Sequence, residues 1–247
     1  MAEPSSPSDA APPGDPGSLR PGARVVGRYE LQRELGRGGM GVVWLALDHT
    51  LQRQVAFKVL PDILRQDRTA LVDLRDETRR NLEITHPHIV RIYDFEEDET
   101  IAGITMEFVD GETLAATKAN RPHRTFDALE LVTWLRQLCE ALHYAHTDPR
   151  VVHRDLKPAN LMVNKRGQLK ITDFGIARSI CDSFTRVSNL QPTSGTLAYM
   201  SPQQLMGSSA PSDDIYSLGA TLYDLLDRKS TRLNSSHERL SRMPSSA

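Results

Sequence analysis

The chain has 247 residues, 39% of them hydrophobic and 25% charged, and its formal net charge at pH 7 is -2. This composition is ordinary for a water-soluble globular protein, and the charge gives no electrostatic reason to expect nucleic acid or an anionic membrane as the main partner. The two cysteines, Cys139 and Cys181, are too few for a disulfide framework and favour a reducing interior. No apolar run approaches the ~18 residues of a membrane span, so we expect a cytoplasmic chain with no membrane segment.

The first 22 residues are rich in proline, with Ser, Gly, Ala and Asp between the prolines. Such a segment has too little apolar surface to offset the entropy lost on ordering. We therefore expect residues 1–22 to be a disordered leader, with a docking peptide as the alternative.

Short β-rich runs begin at Tyr29 and are separated by polar or turn-prone residues: YELQREL, VVWLALD and QVAFKVL. They predict a twisted antiparallel sheet. Leucines near helical spacing predict a helix over Thr69–Glu83 that packs on this sheet. Two further strands are predicted in HPHIVRIYDF and IAGITMEFV, which completes a small β-rich lobe.

After Thr113 the apolar period becomes helical. One predicted helix carries an apolar stripe at steps of three and four residues, formed by Leu131, Leu135, Leu138, Leu142 and Ala145. The strings LMVN and QLKIT predict a small hairpin. A last helix is predicted over Asp214–Leu226, with one side formed by Ile215, Leu218, Leu222 and Leu225.

The last 21 residues, 227–247, do not continue this apolar stripe. Their beginning, Asp227 to His237, matches the translation of a string that resembles a common sequencing-library adapter. We expect this tail to be non-native read-through, with a real basic tail as the alternative.

A polar loop between apolar flanks, VHRDLKPANLMV at 152–163, carries Asp155, Lys157 and Asn160. Catalytic loops are held on rigid scaffolds in this way. The string resembles the catalytic loop of Hanks-type (eukaryotic-like) bacterial serine/threonine protein kinases, and the DFG string that begins at Asp173 resembles their metal-binding motif. The lysine and proline after the aspartate are similar to serine/threonine kinases rather than to tyrosine kinases.

This resemblance covers about residues 29–226 and implies an α+β, bilobal protein-kinase fold. The N-lobe, about 29–108, would be a small antiparallel β-sheet with one main helix. The C-lobe, about 112–226, would be mainly helical and would be incomplete if the tail is not native.

The resemblance also assigns roles in phosphoryl transfer, whose loose and highly charged transition state requires mainly positioning and neutralisation of charge. Asp155 would orient the substrate hydroxyl and accept its proton, and Lys157 would face the γ-phosphate of ATP. Asn160 and Asp173 would ligate Mg²⁺, a hard cation that prefers oxygen ligands.

Three glycines, Gly36, Gly38 and Gly41, have the spacing of a loop that folds tightly over phosphates. An ordinary glycine-rich hairpin is the alternative, whereas a dinucleotide-binding loop is disfavoured because strand, not helix, follows it. By resemblance, Lys58 would meet the nucleotide phosphates, and Glu77 on the facing helix would form an ion pair with it.

The string MEFVDG resembles the segment that joins the two lobes and binds the adenine edge through its backbone, here at Glu107 and Val109. Val43, Ala56 and Met162 match the positions that enclose the adenine ring. A core role for these apolar residues is compatible with this one.

The segment between DFG and SPQ is predicted to be an activation loop whose phosphate would bind Arg154. Ser188 and Thr193 lead among the candidate acceptors, which are Thr185, Ser188, Thr193 and Ser194. Thr196 matches a threonine that bridges the catalytic Asp and Lys, and we expect it to be structural.

Three further positions bear on stability. Asp214 matches an aspartate that binds the catalytic-loop backbone, whereas Gln203 stands where the family has glutamate and Asn81 where it has an apolar residue. The two departures predict a lobe interface of modest stability and remove no catalytic group.

We thus expect an enzyme that phosphorylates protein serine or threonine hydroxyls with ATP and Mg²⁺, regulated by activation-loop phosphorylation and self-association for trans-autophosphorylation. A catalytically silent kinase-like scaffold is the alternative, but it usually lacks one of the catalytic groups. A membrane-anchored parent stays open, and residues 1–247 alone are expected to fold poorly and to have little activity because the last helix would expose apolar surface.

Overall fold

The computed structural model describes residues 19–38, 41–174 and 197–227. The strands are β1 (Arg24–Val25), β2 (Tyr29–Gly38), β3 (Gly41–Asp48), β4 (Arg53–Val59), β5 (Ile92–Glu97), β6 (Ala102–Glu107), β7 (Gly111–Thr113), β8 (Leu161–Asn164) and β9 (Leu169–Ile171). The helices are α1 (Asp62–Arg65), α2 (Arg68–Asn81), α3 (Leu114–Ala119), α4 (Ala128–Thr147), α5 (Pro202–Leu205) and α6 (Pro211–Leu226), with a 3₁₀ turn at Pro158–Asn160.

The N-lobe is an antiparallel sheet with the strand order β1-β2-β3-β4-β6-β5, and its two faces pack into different clusters. Because side chains alternate along a strand, Phe57 in β4 enters the cluster on one face, whereas Ala56 enters the cluster on the other face, with Leu71 and Leu74 of α2. The predicted sheet and its main helix are confirmed.

The C-lobe is organised by α4 and α6, with the small sheet β7-β8-β9 beside them. Helix α4 begins with a capping box, in which Glu130 accepts from the Asp127 N–H at 2.9 Å. The predicted stripe of α4 is confirmed, because its residues are buried or pack against the C-lobe core. The predicted hairpin is β8–β9.

The structure differs from the expected pattern in two places. Ile215 is 56% exposed, so it does not belong to the buried side of α6, which includes Ser217 and Thr221 instead. Strand β5 begins only at Ile92, because the preceding residues cross to the C-lobe, where Val90 N–H donates to the Ile171 carbonyl at 2.8 Å. Among the helices of the described ranges, none combines the length and the apolarity that a membrane span requires.

Glycine is required where two strands approach closely. A Cβ on Gly103 in β6 would overlap the Phe57 ring and approach the Lys58 carbonyl oxygen to 2.8 Å, whereas a Cβ on Gly219 in α6 would meet nothing within 4 Å. We expect Gly103→Ala to lower the free energy of unfolding by ~1–3 kcal/mol through overpacking. Gly219→Ala should raise it by ~0.5–1 kcal/mol, because alanine loses less backbone entropy in a helix. Urea denaturation measures the free energy of unfolding of both variants. Equal changes in the two variants would contradict the close packing described around Gly103.

Asn81 ends α2 as a buried amide, 1% exposed, and neither its Nδ2 nor its Oδ1 has a hydrogen-bond partner within the described ranges. A buried polar group left unpaired costs ~1–3 kcal/mol. We expect Asn81→Leu to raise the midpoint of chemical denaturation and Asn81→Asp to lower it, since the second change buries a charge. A midpoint unchanged by both substitutions would show that this side chain is not buried as described.

Candidate active site

The catalytic loop is fixed by a carboxylate on α6. Asp214 is completely buried and accepts from the His153 N–H at 2.8 Å and the Arg154 N–H at 2.9 Å. His146, in the last turn of α4, donates to the same carboxylate from Nε2 at 2.7 Å. The predicted contact of Asp214 with the loop backbone is confirmed. Three donors compensate the buried charge, which would otherwise be strongly unfavourable.

His153 links the loop to the end of β9. Its Nδ1 accepts from the Asp155 N–H at 3.2 Å, so the ring proton lies on Nε2, which donates to the Thr172 carbonyl at 2.9 Å. The Phe174 ring contacts the His153 ring edge-on, with centroids 4.7 Å apart. The catalytic loop and the DFG string therefore share one imidazole.

The three predicted residues of the catalytic loop lie together. Lys157 Nζ lies 2.9 Å from Asp155 Oδ2. Asn160 donates from Nδ2 to the same carboxylate oxygen at 3.0 Å and to the Asp155 backbone carbonyl at 2.8 Å. Asp155 is 8% exposed, so the carboxylate is held in one orientation near the surface of the cleft.

Lys58 reaches the same region from β4. Its ammonium group donates to Asp173 Oδ1 at 2.7 Å, although Lys58 itself is only 4% exposed. Burial opposes ionisation of Asp173, but the charge of Lys58 and its hydrogen bond outweigh this effect and lower the pKa of the carboxyl group. Asp173 has a left-handed φ of 57°, which aims its side chain toward the N-lobe.

Glu77 differs from the expectation. It forms an ion pair with Arg80 on its own helix, and Lys58 pairs with Asp173 instead. The physical reason is competition: an arginine three residues along a helix faces the glutamate directly, and Asp173 satisfies the buried lysine. The predicted Lys58–Glu77 pair is thus not formed in this conformation.

The predicted phosphate loop is the hairpin between β2 and β3, where Gly36 pairs with Val43 and Gly38 with Gly41. Gly41 has a φ of 116°, and a Cβ there would overlap the Val59 carbonyl oxygen. This glycine is required for backbone packing, whereas Gly36 and Gly38 have open space around a built Cβ. The two residues at the tip lie outside the described ranges.

The predicted adenine-binding residues converge. Ala56 belongs to the buried cluster of the N-lobe next to α2, and Val43 and Met162 pack against it. Met162 does so from β8 of the C-lobe, so this cluster spans the two lobes. Val109 is 8% exposed and belongs to the same cluster.

Glu107, at the end of β6, binds Lys170 of β9. Lys170 Nζ lies 2.6 Å from Glu107 Oε1 and 2.8 Å from Oε2, and Glu107 N–H donates to the Arg91 carbonyl at 2.8 Å. Lys170 pairs with Met162 across the β8–β9 hairpin. This ion pair therefore joins the connecting segment between the lobes to β9, the strand that pairs with the Met162 strand β8.

Asn160 and Asp173 fit the oxygen ligands that Mg²⁺ prefers, since this cation takes one or two protein ligands and completes its shell with waters and phosphate oxygens. The described ranges contain no group of three His, Cys, Asp or Glu side chains suited to hold a metal ion.

Residues 175–196 of the predicted activation loop, which include its candidate acceptors and Thr196, lie outside the described residues. Arg154 has a left-handed φ of 70°, and its Nε donates to Ser209 Oγ at 2.9 Å. Gln204 of α5 donates from Nε2 to the Arg154 carbonyl, which packs this short helix against the catalytic loop.

Comparison with known proteins identifies the family. Residues 29–244 match the protein kinase domain. The chain belongs to the protein kinase family. It is 42% identical over 205 residues to the serine/threonine-protein kinase PknB of Mycobacterium tuberculosis, covering 81% of this chain and 32% of the relative. Identity to PrkC of Bacillus subtilis is 39% over 207 residues, 83% of this chain and 31% of the relative.

The fold comparison agrees. The crystal structure of the Mycobacterium tuberculosis PknI kinase domain, as a double mutant, superposes with a TM-score of 0.70 at 27% identity and covers 85% of this chain and 79% of that one. The bilobal fold and the bacterial Hanks-type family expected from the motifs are confirmed. The chain spans about a third of the length of the curated relatives that it matches.

Several polar contacts around the site were missed from sequence: the His146 bond to Asp214, the Lys170 pair with Glu107, and the Gln204 bond to Arg154. His146 carries a usable signal, because it is a polar residue in the last turn of a helix that leads into the catalytic loop. The other two depend on tertiary contacts, for which the local sequence has no signal.

The Glu107–Lys170 pair generates a prediction for nucleotide affinity. Lys170→Met removes the cation that holds the connecting segment against β9, so we expect the Kd of a fluorescent ATP analogue to rise several-fold. Lys165→Met is the control, because the Lys165–Asp110 pair is exposed (side chains 76% and 57%) and surface pairs contribute little. Equal Kd values for both variants and the wild type would contradict this role of Lys170.

Proposed function

We propose that this chain contains the catalytic domain of a protein serine/threonine kinase that transfers the γ-phosphoryl group of ATP. The observation that carries this proposal is the convergence of Asp155, Lys157, Asn160 and Asp173 with Lys58, which comes from the opposite lobe. Lysine, carboxylate and amide groups brought together in this way supply the charge neutralisation that phosphoryl transfer requires.

Asp155 acts on the acceptor. Its carboxylate orients the serine or threonine hydroxyl and accepts the proton as the hydroxyl oxygen attacks, while the hydrogen bonds from Asn160 and the contact with Lys157 hold the carboxylate in place. Lys157 also places a positive charge beside the transferred group. Asn160 and Asp173 would hold Mg²⁺, which would neutralise charge on the phosphate oxygens.

The nucleotide binds between the lobes. The apolar surfaces of Val43, Ala56 and Met162 enclose the adenine ring, and the backbone of Glu107 and Val109 binds its polar edge. Gly36, Gly38 and Gly41 let the backbone approach the phosphates, and Lys58 binds them. Glu77 replaces Asp173 as the partner of Lys58 in the active conformation, which requires Glu77 to leave Arg80.

Regulation by a phosphate on the activation loop is part of this proposal. Arg154 precedes the catalytic Asp155, and its exposed Nε bonds only a neutral hydroxyl among the described contacts. A phosphate is a stronger partner for a guanidinium group. Self-association that lets one copy phosphorylate the loop of another supplies this phosphate. The acceptor substrates are proteins.

Autophosphorylation tests the enzyme against a catalytically silent scaffold. With Mg²⁺ and labelled ATP, we expect the complete gene product to incorporate phosphate on serine or threonine and its Asp155→Asn variant to reduce the rate by ~10²-fold or more, since a positioned base contributes ~10²–10⁴-fold. Nucleotide affinity should be unchanged in Asp155→Asn, which separates lost chemistry from lost folding. Equal incorporation in both proteins, or nucleotide binding without any incorporation, would contradict the proposed kinase activity.

A further inference from the structure

Asp224, near the end of α6, joins three segments of the C-lobe. Lys118 of α3 donates from Nζ to Asp224 Oδ1 at 2.6 Å and to the Asp224 backbone carbonyl at 2.6 Å. Tyr199 donates from its hydroxyl to Asp224 Oδ2 at 3.1 Å. Both carboxylate oxygens are therefore used, one by each partner.

Lys118 performs two stabilising tasks with one ammonium group. It neutralises the Asp224 carboxylate, and it binds a carbonyl in the last turn of α6, where the helix dipole favours a positive charge. The adjacent Leu225 carbonyl accepts from the Phe126 N–H at 3.0 Å. The end of α6 is therefore capped by Lys118 of α3 and by the connection between α3 and α4. The Lys118 side chain is only 14% exposed and that of Asp224 30%, which limits screening by solvent.

Tyr199 begins the segment that leads from the predicted activation loop into α5. Its carbonyl accepts from Ser217 Oγ at 2.7 Å, and Ser201 donates from Oγ to Asp213 at 2.5 Å. Partial burial, with the nearby Asp224 charge, raises the pKa of Tyr199 to about 12, so the phenol keeps its proton and remains a donor.

The same segment packs against the catalytic loop, because Gln204 of α5 donates to the Arg154 carbonyl. This contact comes from the α6 side of the loop. The predicted nucleotide-binding residues lie on the other side, in the N-lobe and on β8. Segment 199–204 thus contacts the loop that carries Asp155, the residue proposed to act on the acceptor hydroxyl.

We propose that Lys118 is a positioning residue for the protein substrate, acting through Asp224 and Tyr199 on segment 199–204 beside the catalytic loop. This inference rests on the proposed kinase function. Without the ammonium group, the Tyr199 hydroxyl is the remaining donor to Asp224 among these contacts. We expect the partly buried Asp224 carboxylate to turn toward solvent. Tyr199 then loses the acceptor that fixes its ring.

Hydrogen exchange followed by mass spectrometry tests this without requiring turnover. We expect Lys118→Met to accelerate amide exchange in segment 199–205 by roughly tenfold, while peptides of α4 and β4 stay protected. Lys118→Arg, which keeps the charge, should restore slow exchange. Lys170→Met is the matched control, because Lys170 is equally buried, 14% exposed, and its pair lies on the nucleotide side. Unchanged exchange in Lys118→Met, or acceleration across the whole C-lobe, would overturn the positioning role.

Steady-state kinetics test the substrate part. Lys118→Met should raise the KM for a serine peptide by roughly fivefold to tenfold and leave the KM for ATP unchanged. Lys170→Met should raise the KM for ATP and leave the KM for the peptide unchanged. If the wild type turns over but Lys118→Met keeps the wild-type peptide KM, the inference fails alone. If the wild type binds nucleotide and shows no turnover, the proposed function fails, and the substrate role fails with it.

Discussion

The buried carboxylate of Asp214 is the constraint on which the active-site geometry depends. It is inaccessible to solvent and binds two consecutive backbone amides of the catalytic loop, together with His146. A charge in this position is tolerated only because every donor is in place. The amide of Arg154, held in a left-handed conformation, is one of those donors. The backbone that leads into Asp155 is therefore anchored by α6, while His153 and Asn160 of the loop bind the Asp155 backbone itself.

Helix α6 fixes more than the catalytic loop. Ser217 and Asp224 lie further along the same helix and bind the backbone and the hydroxyl of Tyr199. Polar residues at helical spacing thus share the buried side with Leu218 and Leu225. One helix carries the contacts for the loop that holds Asp155 and for the segment beside it, so movements of the two are coupled.

The sequence predicts those elements whose period is local and strong. Helix α4 follows from its apolar spacing and the β8–β9 hairpin from two β-rich strings, and the resemblance of the motifs to protein kinases predicts which residues meet around Asp155. The partner of Lys58 does not follow from spacing, because Glu77 and Asp173 are both carboxylates and only the tertiary structure decides which of them meets the lysine. The position of Ile215 also depends on tertiary contacts. Its apolar character predicts the buried side of α6, but polar residues such as Asp214 and Ser217 occupy that side.

The choice between these carboxylates is governed by burial. Lys58 is 4% exposed, and an unpaired buried ammonium group is strongly unfavourable, so it requires an anionic partner, which is Asp173 in this structure. In the Glu77–Arg80 pair the Arg80 side chain is 65% exposed, whereas that of Glu77 is 13% exposed. Water can therefore solvate Arg80 when the pair breaks, whereas Glu77 and Lys58 both require a partner of opposite charge. Any movement of α2 that brings Glu77 to Lys58 is limited by the release of Asp173 from this lysine.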